Sequence, residues 1–314
     1  MEHRKIVTIG GGTGISTILR GLKKYTSDLT AIVTVGDDGG SSGMLREELG
    51  MLPPGDIRKC IDALAVTNPI LHELINYRFQ EGRLKGHVLG NLCLAALYGI
   101  SDSFDEAVQK MNAAFGVEGR VLPVTTENIQ LRAILEDGET IFGESKIGAP
   151  GHKNIKRLSL LPETPKPAPG VLEAIREADL IVIGPGSLYT SIIPNLLVEG
   201  VSRAICESLA LKVYVGNIMT QPGETQGYTL FDHVQAIRKH GGDRMIDYVI
   251  ANDQPIPEEI LARYRQDGAE PVRIDQKRLS EEYIRLLPRD LVYLKDGRLI
   301  RHNYQSLASA LMKL

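Results

Sequence analysis

The sequence predicts an α/β protein: a Rossmann-like, mostly parallel sheet flanked by helices, with an inserted helical layer and small antiparallel hairpins. Three observations predict it. Short β-branched runs alternate with amphipathic helical stretches. The first two runs are joined through a helix, which favours parallel strands and a right-handed crossover. Glycine-rich or polar loops follow the apolar runs, as they do at the carboxyl ends of strands where α/β sheets bind ligands.

The elements follow in order. Met1 to Lys5 is polar and runs straight into a strand over Lys5 to Ile9. A glycine loop leads into a helix over Ile15 to Tyr25, and Leu29 to Val35 is a second strand. After a loop at Asp37 to Gly43, the pattern from Leu45 to Phe115 is mostly helical, with breaks at Pro53-Pro54-Gly55, Asn68-Pro69 and Gly86. Arg120 to Val124 is a core strand. In Gln130 to Lys146, two alternating segments flank Asp137-Gly138, a hairpin signal. Pro162 to Gly170 is a connector into a helix over Val171 to Ala178, before a buried-type strand at Asp179 to Gly184. Strands at Lys212 to Val215 and Tyr248 to Ala251 bracket a helix over Leu230 to Lys239. Leu291 to Leu294 and Arg298 to His302 flank a second turn, Asp296-Gly297, and Tyr304 to Leu314 closes the chain as a helix. The expected organisation is one domain over 1–314, with a helical insertion at about 44–116 and a hairpin at about 128–147.

Bulk properties narrow the function classes. Of 314 residues, 43% are hydrophobic and 24% charged, enough to bury a sizeable core. Lys plus Arg is 36 against 39 Asp plus Glu, a net charge of −3, which argues against a general nucleic-acid binder. Cys60, Cys93 and Cys206 fall in helical stretches with no CxxC spacing, so they read as free thiols. The start lacks the apolar core of a signal peptide, and no apolar run reaches the ~20 residues of a membrane span. A cytoplasmic protein is expected.

Six constellations carry chemistry. Gly10-Gly11-Gly12-Thr13-Gly14 lets the backbone approach a ligand, and the helix start behind it favours phosphate. It matches neither GxGxxG, since Ile15 replaces the last glycine, nor a Walker loop. Asp37-Asp38-Gly39-Gly40-Ser41-Ser42-Gly43 follows the second strand; its acids could meet ribose hydroxyls or hold a divalent cation, or the loop could be a solvated cap. Pro53 to Arg58 shapes a helix entry, with Asp56 as a cap and Arg58 able to reach a phosphate or to serve structure alone. In Gly86 to Leu92, Asn91 is a cap or base contact and His87 reads as structural. Gly184, Gly186, Ser187, Tyr189 and Thr190 form a fifth loop, with Ser191 and Asn195 beyond it. Asn217, Thr220 and Gln221 belong to a sixth, running to Thr225. Two such loops after consecutive strands read as walls of one cleft. HExxH and GxSxG are absent, and the seven histidines suggest no metal cluster.

These motifs together resemble the YvcK-type gluconeogenesis-factor family of the CofD-like superfamily. The resemblance spans essentially the whole chain: GGGTG at Gly10, DDGGSSG at Asp37, PPGDIR at Pro53, GNL at Gly90, GPGSLYTSIIPNLLV at Gly184 and NIMTQPGET at Asn217. It implies a Rossmann-like fold and a bacterial protein needed for cell shape and envelope integrity on gluconeogenic carbon sources. It implies binding of a UDP-sugar such as UDP-N-acetylglucosamine, with the family's binding threonine matching Thr13. A C-terminal arginine is also implied, matched best by Arg301 and next by Arg298.

Three functions compete: a non-catalytic nucleotide-sugar-binding regulator, a Mg-dependent phospholactyl-type transferase, and a nicotinamide-dependent oxidoreductase. NAD would also fit the first loop as an occupant, since a diphosphate is common to both ligands. In the transferase reading, Asp37 and Asp38 hold the metal. A homo-oligomer is expected, with a protein partner in envelope or central-carbon regulation.

Overall fold

The computed structural model describes residues 4–66 and 69–314. The expected polar start at Met1 to His3, and Asn68 of the expected Asn68-Pro69 break, lie outside the described residues. The strands are β1 (Ile6–Gly10), β2 (Leu29–Val33), β3 (Arg120–Pro123), β4 (Gln130–Leu135), β5 (Thr140–Phe142), β6 (Ile155–Leu161), β7 (Leu180–Ile183), β8 (Leu211–Val215), β9 (Tyr248–Asn252), β10 (Arg285–Arg289), β11 (Val292–Lys295) and β12 (Leu299–His302).

Seven of them form one sheet in the order β10-β9-β8-β7-β1-β2-β3, and every pairing in it is parallel. Its central strands β1 and β7 are buried at every residue, as parallel strands covered on both faces must be. The order reverses between β1 and β7: the chain steps towards β3 from β1 and towards β10 from β7. With right-handed crossovers, the helices of the two halves fall on opposite faces. Accordingly, helix Gly12–Leu22 packs on helices Gly55–Leu64 and Tyr304–Met312, whereas Val201–Glu207 packs on Val171–Glu177. Helix Gly12–Leu22 turns Ile15, Ile18, Leu19 and Leu22 inward at helical spacing. The place between β1 and β7 is a topological switch point, where loops diverge and leave a crevice.

The helical layer runs through Gly40–Leu49, Gly55–Leu64, Pro69–Asn76, Leu89–Gly99 and Phe104–Ala114. The expected hairpin is present as β4 and β5, but β6 completes it as a three-stranded antiparallel sheet. The motif at Ile155–Leu161 alternates poorly, with two exposed residues in succession, which hides it from a period-two reading. Strand β10 also escapes the pattern. It contains Pro288, which a ladder tolerates at an edge, and β10 is the edge strand. Helices Glu258–Gln266 and Gln276–Glu281 fill the stretch left unassigned before it. The hairpin of β11 and β12 turns at Asp296-Gly297 as expected.

Two capping expectations are corrected. Asp56 sits inside the first turn of Gly55–Leu64, whose N-cap is Pro54. Asn91 lies within helix Leu89–Gly99 with its side chain buried, because the cap position is taken by Val88.

Candidate functional site

The cleft at the switch point has a volume of about 580 Å³, within the range of small-molecule sites. Loops following β1, β2, β7 and β8 wall it, and the hairpin of β11 and β12 brings Ile300, Arg301 and His302 to its far side.

Glycine in the first loop is required by packing. A Cβ on Gly11 would come within 2.5 Å of Ser191 Oγ, and one on Gly12 within 2.5 Å of Asp56 Cα. On Gly14 it would overlap the Pro185 carbonyl oxygen. The loop after β7 and the start of helix Gly55–Leu64 therefore close directly on this one. Helix Gly12–Leu22 begins with no side-chain cap and no acid in its first turn. Its leading N–H groups therefore have no side-chain acceptor among the described residues. Lys59 Nζ donates to Thr13 Oγ1 at 3.0 Å and to Asp56 Oδ1 at 2.9 Å. An ammonium only donates, so the Thr13 hydroxyl accepts it and keeps its own proton for another acceptor.

The opposing junction after β7 is built alike but satisfied from within. Its single π-helical turn, Leu188–Ile192, carries Ile192 N–H to the Ser187 carbonyl at 3.0 Å. Glu224 is buried beneath that turn. Its Oε2 accepts the N–H groups of Tyr189 at 2.8 Å and Thr190 at 3.2 Å, and its Oε1 accepts the Thr190 hydroxyl at 2.9 Å. Burial raises the Glu224 carboxyl above its ordinary value, against these donors. Gln221 Nε2 donates to Ser187 Oγ at 2.8 Å, and Gly186 N–H reaches Asn217 Oδ1 at 3.4 Å, so the fifth and sixth loops are stitched together. Thr220 Oγ1 accepts the Glu270 N–H at 2.9 Å.

The acids of the second loop separate. Asp37 lines the cleft, with Oδ1 accepting Gly39 N–H at 2.9 Å. Burial raises its carboxyl, and the charge of Asp56 pushes the same way. Asp38 turns away: Oδ2 accepts Glu144 N–H at 3.0 Å and Oδ1 accepts Ser145 N–H at 2.9 Å. That contact seats the β4–β5 sheet so that Glu144 enters the cleft. Burial, then the charges of Asp37, Asp38, Glu224 and Asp56, push the Glu144 carboxyl up to about 7.

The structure brings Thr13, Gly14, Asp37, Gly186, Ser187, Thr190, Asn217, Thr220, Gln221 and Arg301 to one cleft. Gly10, Gly11, Gly12 and Gly184 form the backbone behind it. Gly39 is the N-cap of helix Gly40–Leu49. Ser41 Oγ accepts from Val88 N–H and Asn91 Nδ2, and Ser42 Oγ from Gly55 N–H, all buried. Arg58 Nε donates to Asn91 Oδ1 at 3.0 Å and its Nη1 to Asn76 Oδ1 at 2.6 Å, so this pair ties the helical layer together. Tyr189 points into the protein, donating to or accepting from Tyr228 Oη at 3.0 Å and reaching the Ile155 carbonyl at 3.2 Å. Arg298 lies at the Asp296-Gly297 turn, outside the cleft lining. Lys59, Glu144, Asp267 and His302 line the cleft without having been singled out by the sequence; Ser191, named beyond the fifth loop, lines it too, and Glu224 of the sixth loop supports it. Asp56 does so too, in a role other than capping.

A doubly wound α/β sheet with a polar cleft at its switch point defines the class of protein. Residues 6–292 match the model of the 2-phospho-L-lactate transferase CofD family. A relative from Thermoanaerobacterium thermosulfurigenes is 53% identical over 313 residues, covering 99% of this chain and 96% of the relative. The gluconeogenesis factor of Bacillus subtilis is 47% identical, covering 100% and 98%. A crystal structure of a UPF0052-family protein from Bacillus halodurans superposes with a TM-score of 0.96 at 46% identity, covering 99% and 100%. The chain belongs to the CofD family and, within it, to the gluconeogenesis factors. Among the described residues no helix is long and apolar enough to cross a membrane.

Proposed function

We propose that the chain is a nucleotide-sugar-binding regulatory protein, taking a UDP-sugar such as UDP-N-acetylglucosamine and needed for normal cell shape on gluconeogenic carbon. One observation carries the reading. Of two facing glycine-rich junctions, the one after β7 has its N–H groups filled by Glu224, whereas the one after β1 has no side-chain cap and no acid in its own first turn, and the neighbouring Asp56 is paired with Lys59. The free junction, with the Thr13 hydroxyl, Lys59 and Arg301, matches a diphosphate. The cleft volume accommodates the nucleotide and sugar on either side of it. The name gluconeogenesis factor, carried by the Bacillus subtilis relative, supports the link to gluconeogenic growth.

The acids of the cleft call for a counter-charge beside an anionic ligand. Among the described residues no three His, Cys, Asp or Glu side chains form a metal-holding group. Asp37 and Asp56 line the cleft together, and Mg²⁺ needs only one or two carboxylates when phosphates and water complete its shell. The residues therefore fit a cation that arrives with the ligand, and such a cation would neutralise phosphate charge. In a transferase that charge would be the activated donor's, and the same Asp37 and Asp56 would serve.

Mass spectrometry of the small molecules released from freshly purified protein tests the proposal. A UDP-sugar is the expected species. Recovery of a nicotinamide dinucleotide alone, or of a product formed from added phospholactyl donor and acceptor, would replace it.

A further inference from the structure

The far side of the cleft is more apolar than the side of Asp37, Asp56 and Glu144, with the exposed Asp267 as its lining carboxylate. Ile218, Met219 and Ala269 are buried there, Tyr264 packs beside them, and Tyr264 Oη is occupied as acceptor of the Ile300 N–H at 2.9 Å. Into this apolar end β12 places His302. Its Nε2 lies 3.1 Å from the carbonyl oxygen of Gly216, at the carboxyl end of β8. A carbonyl only accepts, so Nε2 carries the ring proton and the neutral imidazole keeps its lone pair on Nδ1. His302 lines the cleft, and among the described residues its Nδ1 has no hydrogen-bond partner. Burial, with the charge of Arg301 adding, holds the imidazole down to about 4, so the ring stays neutral through physiological pH.

A neutral, fixed acceptor at the apolar end of a phosphate cleft suits an uncharged planar ring that presents an N–H. Sugar hydroxyls are better served at the other end, where Asp37, Asp56 and Glu144 offer acceptors. Resting on the nucleotide-sugar reading above, we infer that His302 Nδ1 accepts the ring N3–H of a uracil base and so selects uracil over cytosine. Cytosine presents a lone pair at that position, which would face the lone pair of Nδ1. A site built to accept a hydrogen bond rejects a ligand that lacks the donor more strongly than it rejects a change of size.

Titration calorimetry with UDP, CDP and N3-methyl-UDP tests the inference on the wild-type protein and on His302→Phe. Wild type is expected to bind UDP about tenfold more tightly than CDP or N3-methyl-UDP, the size of one well-placed neutral hydrogen bond. His302→Phe is expected to bind all three within about twofold of one another, near the wild-type affinity for CDP. The methylated ligand gives the comparison on unmodified protein, so the result does not depend on how well the variant folds. Equal binding of the three ligands by wild type would overturn the inference while leaving the nucleotide reading standing. So would a variant that loses affinity for UDP-N-acetylglucosamine but not for UDP, since His302 would then face the sugar. Binding of none of them by wild type would overturn the nucleotide reading and this inference with it.

Discussion

Glu224 grips Thr190 with both carboxylate oxygens, Oε2 on its N–H at 3.2 Å and Oε1 on its hydroxyl at 2.9 Å. The turn after β7 thereby carries its own acceptor, and the two glycine-rich loops of the cleft stop being equivalent. Removing that carboxyl should be costly, because three buried donors would lose their acceptor. Glu224→Ala is expected to lower stability by about 3 kcal/mol and Glu224→Gln by less. Urea denaturation of the two variants checks the order.

Arg58 and Arg301 should separate structure from binding. Arg58→Leu strands Asn76 and Asn91 in the helical layer and is expected to cost about 3 kcal/mol with little change in ligand affinity. Arg301→Ala, at an exposed position on the cleft, is expected to change stability by less than about 0.5 kcal/mol. Its affinity for a UDP-sugar should fall about tenfold. Denaturation and calorimetry on both variants would show opposite patterns.

Glu144 should make binding pH-dependent. Its carboxyl is raised from 4.5 to about 7, so the folded state holds a proton that the unfolded chain has lost. Stability contributed by this group therefore falls as pH rises from about 4.5 through 7. A diphosphate entering beside Glu144 strengthens its hold on that proton, so binding takes up a proton. If the ligand raises the proton affinity of Glu144 about tenfold, UDP-N-acetylglucosamine should bind about fivefold more tightly at pH 6 than at pH 8. The diphosphate of that ligand does not itself titrate in this range. Glu144→Gln is expected to flatten the profile in calorimetry across the same pH values.

Asp37 should couple binding to a divalent cation. Wild-type affinity for a UDP-sugar is expected to rise on adding Mg²⁺ and to fall in EDTA. Asp37→Asn removes a charge that repels phosphate and a ligand that attracts the cation, so its affinity should respond little to either addition. Calorimetry in matched buffers reads both.

Much of the scaffold was legible because its signals are local. The largely apolar runs of β1, β7, β8 and β9 mark buried parallel strands, and the polar loops after them mark the cleft. What was illegible depends on contacts between distant segments. The acids Asp37 and Asp38 are adjacent in sequence and look like one site, yet Asp38 caps a turn 106 residues away. Arg58 and Asn91 look equally suited to a ligand, but each is the other's partner in a buried layer. Glu144 and His302 carry no motif at all. They reach the cleft because a small antiparallel sheet and a terminal hairpin fold over it, and His302 is fixed there by a backbone carbonyl just after β8. Four glycines around Thr13 read as a phosphate loop; in the structure three of them also admit Ser191, Asp56 and Pro185.

In the proposed complex the uncapped junction after β1 receives the ligand's diphosphate. Calorimetric titration of UDP-N-acetylglucosamine into wild type and Thr13→Ala tests it most directly. Saturable one-to-one binding by wild type is expected, weakened about tenfold in Thr13→Ala with the melting temperature of the free protein unchanged. Absence of binding by wild type, or equal affinity in the two proteins, would contradict it.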